Sequence, residues 1–291
     1  MRVAVTGANG YLGSRLVRRL AALGHSVVPM VRRNLHPAPD EITFDLAAPT
    51  SAEALRRSGA EALIHCAYDF SARGLSGNAE INIEGARSLF SAAKEAGIRR
   101  LVHVSSMSAF PGCKSVYGKT KLEIEAIAAS FGGISVRPGL ILGAPPGGML
   151  GILERIVQML PVVPLPAPCH GQLRLIHEGD LSDFLERLCC CSELPRSRVI
   201  TCANREPFKL REILRTLCER EGRNRAYLPV PWQPVWLVLK LANALGVIQR
   251  PMHDSLIGLV FADASPDIDI TFITGLLGRE LRAWSATPRV P

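Results

Sequence analysis

The chain has 291 residues, 47% of them apolar and 21% charged, with 25 glycines. A chain of this length buries roughly three quarters of the surface its unfolded form exposes, so it needs no disulfide or metal staple to make a core. This composition excludes disorder and collagen-like repeats. The net charge of +8 admits nucleic acid, an anionic membrane surface or a phosphorylated small molecule as partner. The arginines fall as scattered pairs (Arg18-Arg19, Arg32-Arg33, Arg56-Arg57, Arg99-Arg100), not as one polybasic block, and aromatics at 5% leave few rings to stack on bases. The expectation is therefore a small-molecule substrate, with no nucleic acid and no membrane partner.

Strand-like and helix-like segments alternate through the first 140 residues. Val3 to Thr6 is a β-branched run, and Tyr11 to Leu23 places Leu12, Leu16, Leu20 and Leu23 at helical spacing. Ser26 to Val31 is a strand again. The rhythm continues with Ile42 to Phe44 (strand), Ser51 to Ser58 (helix), Ala62 to Cys66 (strand), Ile83 to Ala96 (helix), Leu101 to Ser105 (strand), Ser115 to Ser130 (helix) and Ile134 to Val136 (strand). Such alternation predicts a doubly wound parallel (Rossmann) α/β sheet.

From Ala144 the proline-rich stretches Ala144 to Gly148 and Pro161 to Pro168 break the rhythm, and short helical segments follow. We expect residues 1–143 with 176–204 to form a dinucleotide-binding domain, with Val199 to Cys202 a further strand of its sheet. Residues 144–175 with 205–291 would form a smaller, mostly helical substrate lobe. In that lobe Trp232, Trp236, Leu237 and Leu241 recur at helical spacing, which predicts core or, failing that, an apolar pocket. The apolar run Val235 to Ile248 is short and carries Lys240 and Asn243, so no membrane span is expected.

The eight cysteines include no C-x-x-C pair, and Cys189-Cys190-Cys191 read as small hydrophobes in a helix. Reduced thiols and a first strand without a preceding signal peptide predict a cytoplasmic protein. The seven histidines show no ligand spacing, so no metal is expected.

Two motifs carry chemistry. Gly7-Ala8-Asn9-Gly10-Tyr11-Leu12-Gly13 lies between the first strand and first helix. There glycines let the backbone turn tightly and approach a pyrophosphate held by the helix N-terminus. At the end of the second strand, where NAD-binding folds place an acidic residue for the ribose hydroxyls, stand Arg32 and Arg33. A guanidinium binds a 2′-phosphate bidentately, which favours NADP(H), with NAD(H) as the alternative. The second motif is Tyr117-Gly118-Lys119-Thr120-Lys121. Residues four apart on a helix share a face, so ammonium and phenol point into one site, where the charge is expected to lower the phenol's pKa toward neutrality.

With these motifs the chain resembles the extended short-chain dehydrogenase/reductases, the family of nucleotide-sugar epimerases and dehydratases, dihydroflavonol reductases and 3β-hydroxysteroid dehydrogenases. The resemblance also uses Asp45-Leu46, His65-Cys66-Ala67, Asn82, Ser105-Ser106, Arg137-Pro138-Gly139 and Ile176 to Asp180, in the family's order over residues 1 to about 190. It implies adenine contacts from Asp45 and Leu46, a dinucleotide lining by Cys66 and Ala67, a nicotinamide-ribose contact from Lys121 and Pro138 near the carboxamide. Tyr117, Lys121 and a serine would be catalytic. Asp180 would be scaffold, with His177 packing behind the site.

The family's usual Ser or Thr beside the tyrosine is Met107 here, and its Tyr-Gly is Pro111-Gly112. Ser106 is the preferred substitute and Ser108 the other. The resemblance also implies a homodimer joined through the helices at Ile83 to Ala96 and Ser115 to Ser130.

The function expected is an NADP(H)-dependent oxidoreductase moving a hydride at a secondary alcohol or ketone. A nucleotide sugar is slightly favoured, because Lys209, Arg211, Arg215, Arg220, Arg223 and Arg225 lie in the substrate lobe. The alternatives are an epimerase or dehydratase with retained NAD, a reductase of an apolar ketone, and a non-catalytic dinucleotide sensor.

Overall fold

The computed structural model describes residues 1–32, 40–70, 75–169, 171–191, 195, 197–248 and 250–284. In chain order the first elements are β1 (Arg2–Thr6), α1 (Tyr11–Ala22), β2 (Ser26–Val31), β3 (Ile42–Thr43), α2 (Ala52–Ser58), β4 (Ala62–His65), α3 (Leu75–Glu95), β5 (Arg100–Val104), α4 (Val116–Ser130) and β6 (Ile134–Pro138). They are followed by β7 (Leu140–Leu142), α5 (Gly148–Met159), β8 (Val162–Ala167), β9 (Leu175–His177), α6 (Glu178–Cys190), β10 (Val199–Cys202), α7 (Leu210–Arg220), β11 (Ala226–Pro231), α8 (Trp232–Ala244), α9 (Met252–Val260) and α10 (Ile270–Leu277).

Seven strands form one sheet in the order β10-β6-β5-β4-β1-β2-β3, and every pairing is parallel. This is the doubly wound sheet the alternation predicts. Its central strands are buried on both faces: all four residues of β4 are buried, as are the last four of β1 and β5. Uninterrupted apolar runs such as Val3-Ala4-Val5 suit that environment. One face packs Leu16 and Leu20 of α1, Phe184 and Leu188 of α6 and Ile273 of α10. The other packs Leu55 of α2, Leu89 and Phe90 of α3 and Ile124 of α4. Val199–Cys202 joins this sheet as β10, beside β6.

Helix α3 starts well before Ile83. Its first half holds the buried Asn78 and Asn82, polar residues that hide the apolar period. Asn82 accepts the N–H of Asp69 at 2.8 Å and donates to the Asp69 and Asn78 carbonyls, so it fixes the end of the segment that follows β4.

A third apolar cluster joins Leu150, Leu153 and Val157 of α5, Val163 of β8 and Leu210, Ile213, Leu214 and Leu217 of α7. This part of the chain is not purely helical, since β8 and β11 form a parallel ribbon and β7 pairs with β9. Helix α8 departs from the expected core stripe. No residue of it is fully buried: Trp232 and Trp236 are half-buried against Phe261 and His253, while Leu237 and Leu241 are 50% and 54% exposed. Among the described residues no helix is long and apolar enough to cross a membrane.

Candidate active site

The strand-to-helix loop is shaped by close backbone approach. Gly7 has φ +65°, and a Cβ on Gly13 would lie 2.1 Å from the Gly7 carbonyl oxygen, so only glycine fits at 13. The Gly10 N–H donates to the Gly7 carbonyl at 2.8 Å, and no side chain caps α1, which leaves first-turn amides facing the loop. Thr6 locks this loop to the end of β4, the strand beside β1. Its hydroxyl oxygen accepts the N–H groups of Cys66 and Ala67 at 3.1 and 3.2 Å, so its proton goes to His65 Nδ1 at 2.7 Å. Burial holds His65 down to about 3, hence neutral. Leu12 packs on the core below, and Tyr11 lies under the Arg15 guanidinium, with burial and the Glu178 carboxylate pushing its phenol up to about 12.

Arg32 leaves the end of β2 with its side chain 63% exposed, 3.7 Å from the Asp69 carboxylate; Arg33 lies outside the described residues. Asp45 accepts the N–H of Ala47 at 3.0 Å and is half-buried. Leu46 is buried in the core, so its side chain is held by packing below the sheet's rim. Cys66 and Ala67 are half-buried at the end of β4, and burial raises the Cys66 thiol to about 12, an inert setting. An uncapped helix end, glycines that a Cβ would block and an exposed guanidinium beyond β2 together fit a dinucleotide phosphate.

Tyr117 and Lys121 stand on the first two turns of α4. Ser115 caps this helix by accepting the Gly118 N–H at 3.1 Å, and a Cβ on Gly118 would lie 2.2 Å from the Ser108 carbonyl oxygen, so the 105–115 segment closes tightly onto the helix. The Lys121 ammonium is buried and donates to the Val104 carbonyl at 2.8 Å; it lies 5.1 Å from the Tyr68 ring centroid and 6.0 Å from that of Tyr117. Burial lowers its pKa to about 8, against the opposing pull of Cys66 and Glu125. The Ser106 hydroxyl hydrogen-bonds the Tyr117 side chain, whereas Ser108 Oγ faces Gly258 of α9. Met107 lines a cavity of about 200 Å³ with Ala109, Arg137, Thr201 and Asp263. Pro138 is buried at the end of β6, and its carbonyl accepts the Met107 N–H at 3.4 Å.

The expected lowering of the Tyr117 phenol is not what the structure holds. Burial raises it to about 12, and only the Ser106 hydroxyl opposes this. The ammonium is engaged by the Val104 carbonyl and sits at the ring's distance, too far to offset the lost hydration.

Three neighbours of this centre have no sequence motif. Asp254 of α9 is buried, and its two carboxylate oxygens accept the Val116 and Tyr117 N–H groups at 2.8 and 2.9 Å. Tyr68 and Phe70 wall the phenol: Phe70 stacks on Tyr117 at 5.7 Å and 25°, and Tyr68 meets it edge-on at 4.9 Å. Below them Glu125 joins α4 to the sheet, accepting both Arg137 Nε and Nη2 and the Ser105 hydroxyl.

The arginines expected to face substrate are engaged locally. Lys209 opens α7 with its N–H donating to the Glu212 carboxylate, Arg211 lies over Tyr227 and Arg215 pairs with Glu219. Arg220, Arg223 and Arg225 donate to the carbonyls of Trp284, Gln158 and Val157. His177 caps α6, with Nδ1 accepting the Gly179 N–H. Asp180 is fully buried, pairs with Arg279 and Arg282 and accepts the Arg282 N–H. One group among the described residues, His25, Glu186 and Cys190, brings ligand-type atoms within 4.8 Å of one another. It lies at the far end of the sheet from Tyr117; Glu186 and Cys190 are four apart on α6, but His25 is 161 residues from Glu186, so no spacing rule finds the three together.

Comparison with known proteins agrees with this layout. Residues 3–132 match the NAD dependent epimerase/dehydratase family. A ceramide reductase of Caulobacter vibrioides is 35% identical over 195 residues, 64% of this chain and 60% of that protein. The chain thus spans less than two thirds of that relative's length. A 4-hydroxy-2-methyl-3-oxo-4-farnesyl-3,4-dihydroquinoline-1-oxide ketoreductase of Stigmatella aurantiaca is 26% identical over 84% of this chain and 80% of its own. Among solved structures, MoeE5 in complex with UDP-glucose and NAD superposes with a TM-score of 0.72, at 21% identity, over 97% of this chain and 94% of that one, a likeness of fold.

Proposed function

We propose that the protein is an NADP(H)-preferring reductase of a ketone on an apolar substrate. The observation that carries this is Tyr117 held protonated between Ser106, Lys121 and the rings of Tyr68 and Phe70. A phenol raised to about 12 keeps its proton at neutral pH, the state needed to donate to a carbonyl oxygen that is gaining charge. The Ser106 hydroxyl is the second donor toward that oxygen. The phenolate left behind takes up a proton from solvent, and the Lys121 ammonium, 6.0 Å from the Tyr117 ring centroid, keeps a positive charge on that side of the site.

The glycine loop, the α1 amides and Arg32 would hold the dinucleotide, with Lys121 toward its nicotinamide ribose. A reduced nicotinamide bound there would supply the hydride. Preference for the 2′-phosphate rests on the exposed Arg32 guanidinium, since no carboxylate of β2 stands where ribose hydroxyls would be read.

The apolar substrate is supported by the aromatic wall and by the local engagement of the five arginines between Arg211 and Arg225. Both relatives named above as reductases act, by name, on lipid-like molecules. The test is NADPH oxidation with a panel of long-chain ketones and UDP-sugars. Reduction of the ketones, abolished in Tyr117→Phe with NADPH binding intact, is the expected result. Turnover of UDP-sugars alone, or unchanged turnover in Tyr117→Phe, overturns the proposal.

A further inference from the structure

Helix α8 is apolar over most of its circumference, yet none of its residues is fully buried. Its inward face, with Val235, Trp236, Leu239 and Ala242, is half-buried against the lobe. At 100° per residue, Leu237, Val238, Leu241 and Leu245 fall within one arc on the opposite side, and they are 50%, 64%, 54% and 79% exposed. Val247 just after the helix is 76% exposed, and Leu228 of β11, the strand that leads into it, 56%. Soluble proteins do not leave so many large apolar side chains together in water without a use. An apolar helix face must be covered, and nothing among the described residues covers this one.

The charge around the face identifies the cover. Between Glu221 and Asp254 the chain has no acidic residue and four cations, Arg223, Arg225, Lys240 and Arg250. Lys240 is exposed beside the apolar arc and folds over the half-buried Trp236 ring at 4.7 Å. An apolar face flanked by Lys240, in a stretch of chain without acidic residues, suits a helix lying at the surface of an anionic bilayer. A protein partner of ordinary composition would require some charge of the other sign.

The face is also continuous with the active site. The exposed turn at Val247 leads to Arg250, whose guanidinium lies 5.5 Å over the Phe70 ring, and Phe70 stacks on Tyr117. We infer that the exposed face of α8, with Leu228 and Val247, docks the enzyme on an anionic lipid surface and presents the Phe70 side of the catalytic site to substrate held in that surface. The inference rests on the apolar-substrate reading. It departs from the expectation of no membrane partner, which rests on the scattered arginine pairs and the lack of a spanning segment; a surface helix needs neither a polybasic block nor a span.

The test is flotation of the full chain with vesicles of phosphatidylcholine alone and of phosphatidylcholine with 30% phosphatidylglycerol. The expected result is binding at least tenfold tighter to the anionic vesicles, reduced at least tenfold in L237E/L241E, whose thermal midpoint stays that of the parent because both residues are exposed. In the same variant, reduction of a short, water-soluble ketone should persist while reduction of a vesicle-borne long-chain ketone falls by a similar factor. Equal flotation of variant and parent, no preference for anionic vesicles, or a dimer that L237E/L241E dissociates without vesicle binding each overturns the inference. Vesicle binding without ketone reduction would instead remove the proposed reaction and leave the docking surface standing.

Discussion

Asp254 ties α9 to the helix that carries Tyr117, and its removal has a calculable effect. Its carboxylate accepts two backbone N–H groups, Val116 at 2.8 Å and Tyr117 at 2.9 Å, from a buried position. Hydrogen bonds to a charged group contribute about 1.5–3 kcal/mol each, and the negative charge at the helix N-terminus adds up to about 1 kcal/mol. Asp254→Asn keeps one acceptor oxygen and turns an NH2 group toward the other amide, so one bond and the charge are lost together, about 2–3 kcal/mol. At about 2 °C per kcal/mol for a chain of this size, the thermal midpoint should fall by about 4–6 °C. Hydrogen exchange gives the local readout: the Val116 and Tyr117 amides should lose about 30–150-fold in protection while the amides of β4 lose little. A loosened Tyr117 should lower kcat for ketone reduction at least about tenfold, with KM for NADPH unchanged, since the glycine loop is built from other elements. Parent-like exchange at these two amides, or a fall confined to KM for NADPH, would refute a positioning role for Asp254.

Other expectations follow from the same geometry. The Lys121 ammonium, lowered from 10.5 to about 8 by burial, is charged below that pH and neutral above it, so the rate of ketone reduction should be level near pH 7 and decline through about pH 8. A pH–rate profile with no alkaline limb below pH 10 would contradict this. The folded protein binds fewer protons than the unfolded one between about 8 and 10.5, so this group's contribution to stability rises with pH across that window and is least favourable below it. Arg32→Ala should weaken NADPH about 10–100-fold and leave NADH unaffected, as titration calorimetry would measure; equal losses for both cofactors would remove the guanidinium from cofactor choice.

What could be read in the sequence was what local rules govern. The glycine loop and the Tyr117 to Lys121 spacing are set by one turn and one helix face, and the strands by short apolar runs, so each was legible in a window of a few residues. Asp254 was not, because the amides it holds are 137 and 138 residues away and a lone Asp after a Met-His pair carries no pattern. Tyr68 and Phe70 likewise gain meaning only once β4 sets them beside α4. The charge effect on Tyr117 was misjudged because spacing places an ammonium near a phenol but says nothing of burial, and here burial prevails. On α8 the periodic stripe was visible but its surroundings were not: the same Leu237 and Leu241 that suggest a core face lie outside it. The lobe cations misled in a similar way, since six basic residues look like an anion site until the five arginines are seen engaged by a carbonyl, ring or carboxylate close by.

The Asp180 cluster bears on the order in which this molecule can be made. Asp180 holds Arg279 and Arg282, and Ile273 and Leu281 share one core with Val3 and Val5. The first strand therefore cannot complete its packing until residues some 270 positions later have emerged from the ribosome. Contacts this distant in sequence are slow to form. During synthesis the α1 side of the sheet stays partly uncovered, and closing it is a late, post-translational step. A nascent chain held short of Arg282 would expose Phe184 and Leu188 to whatever chaperone meets it.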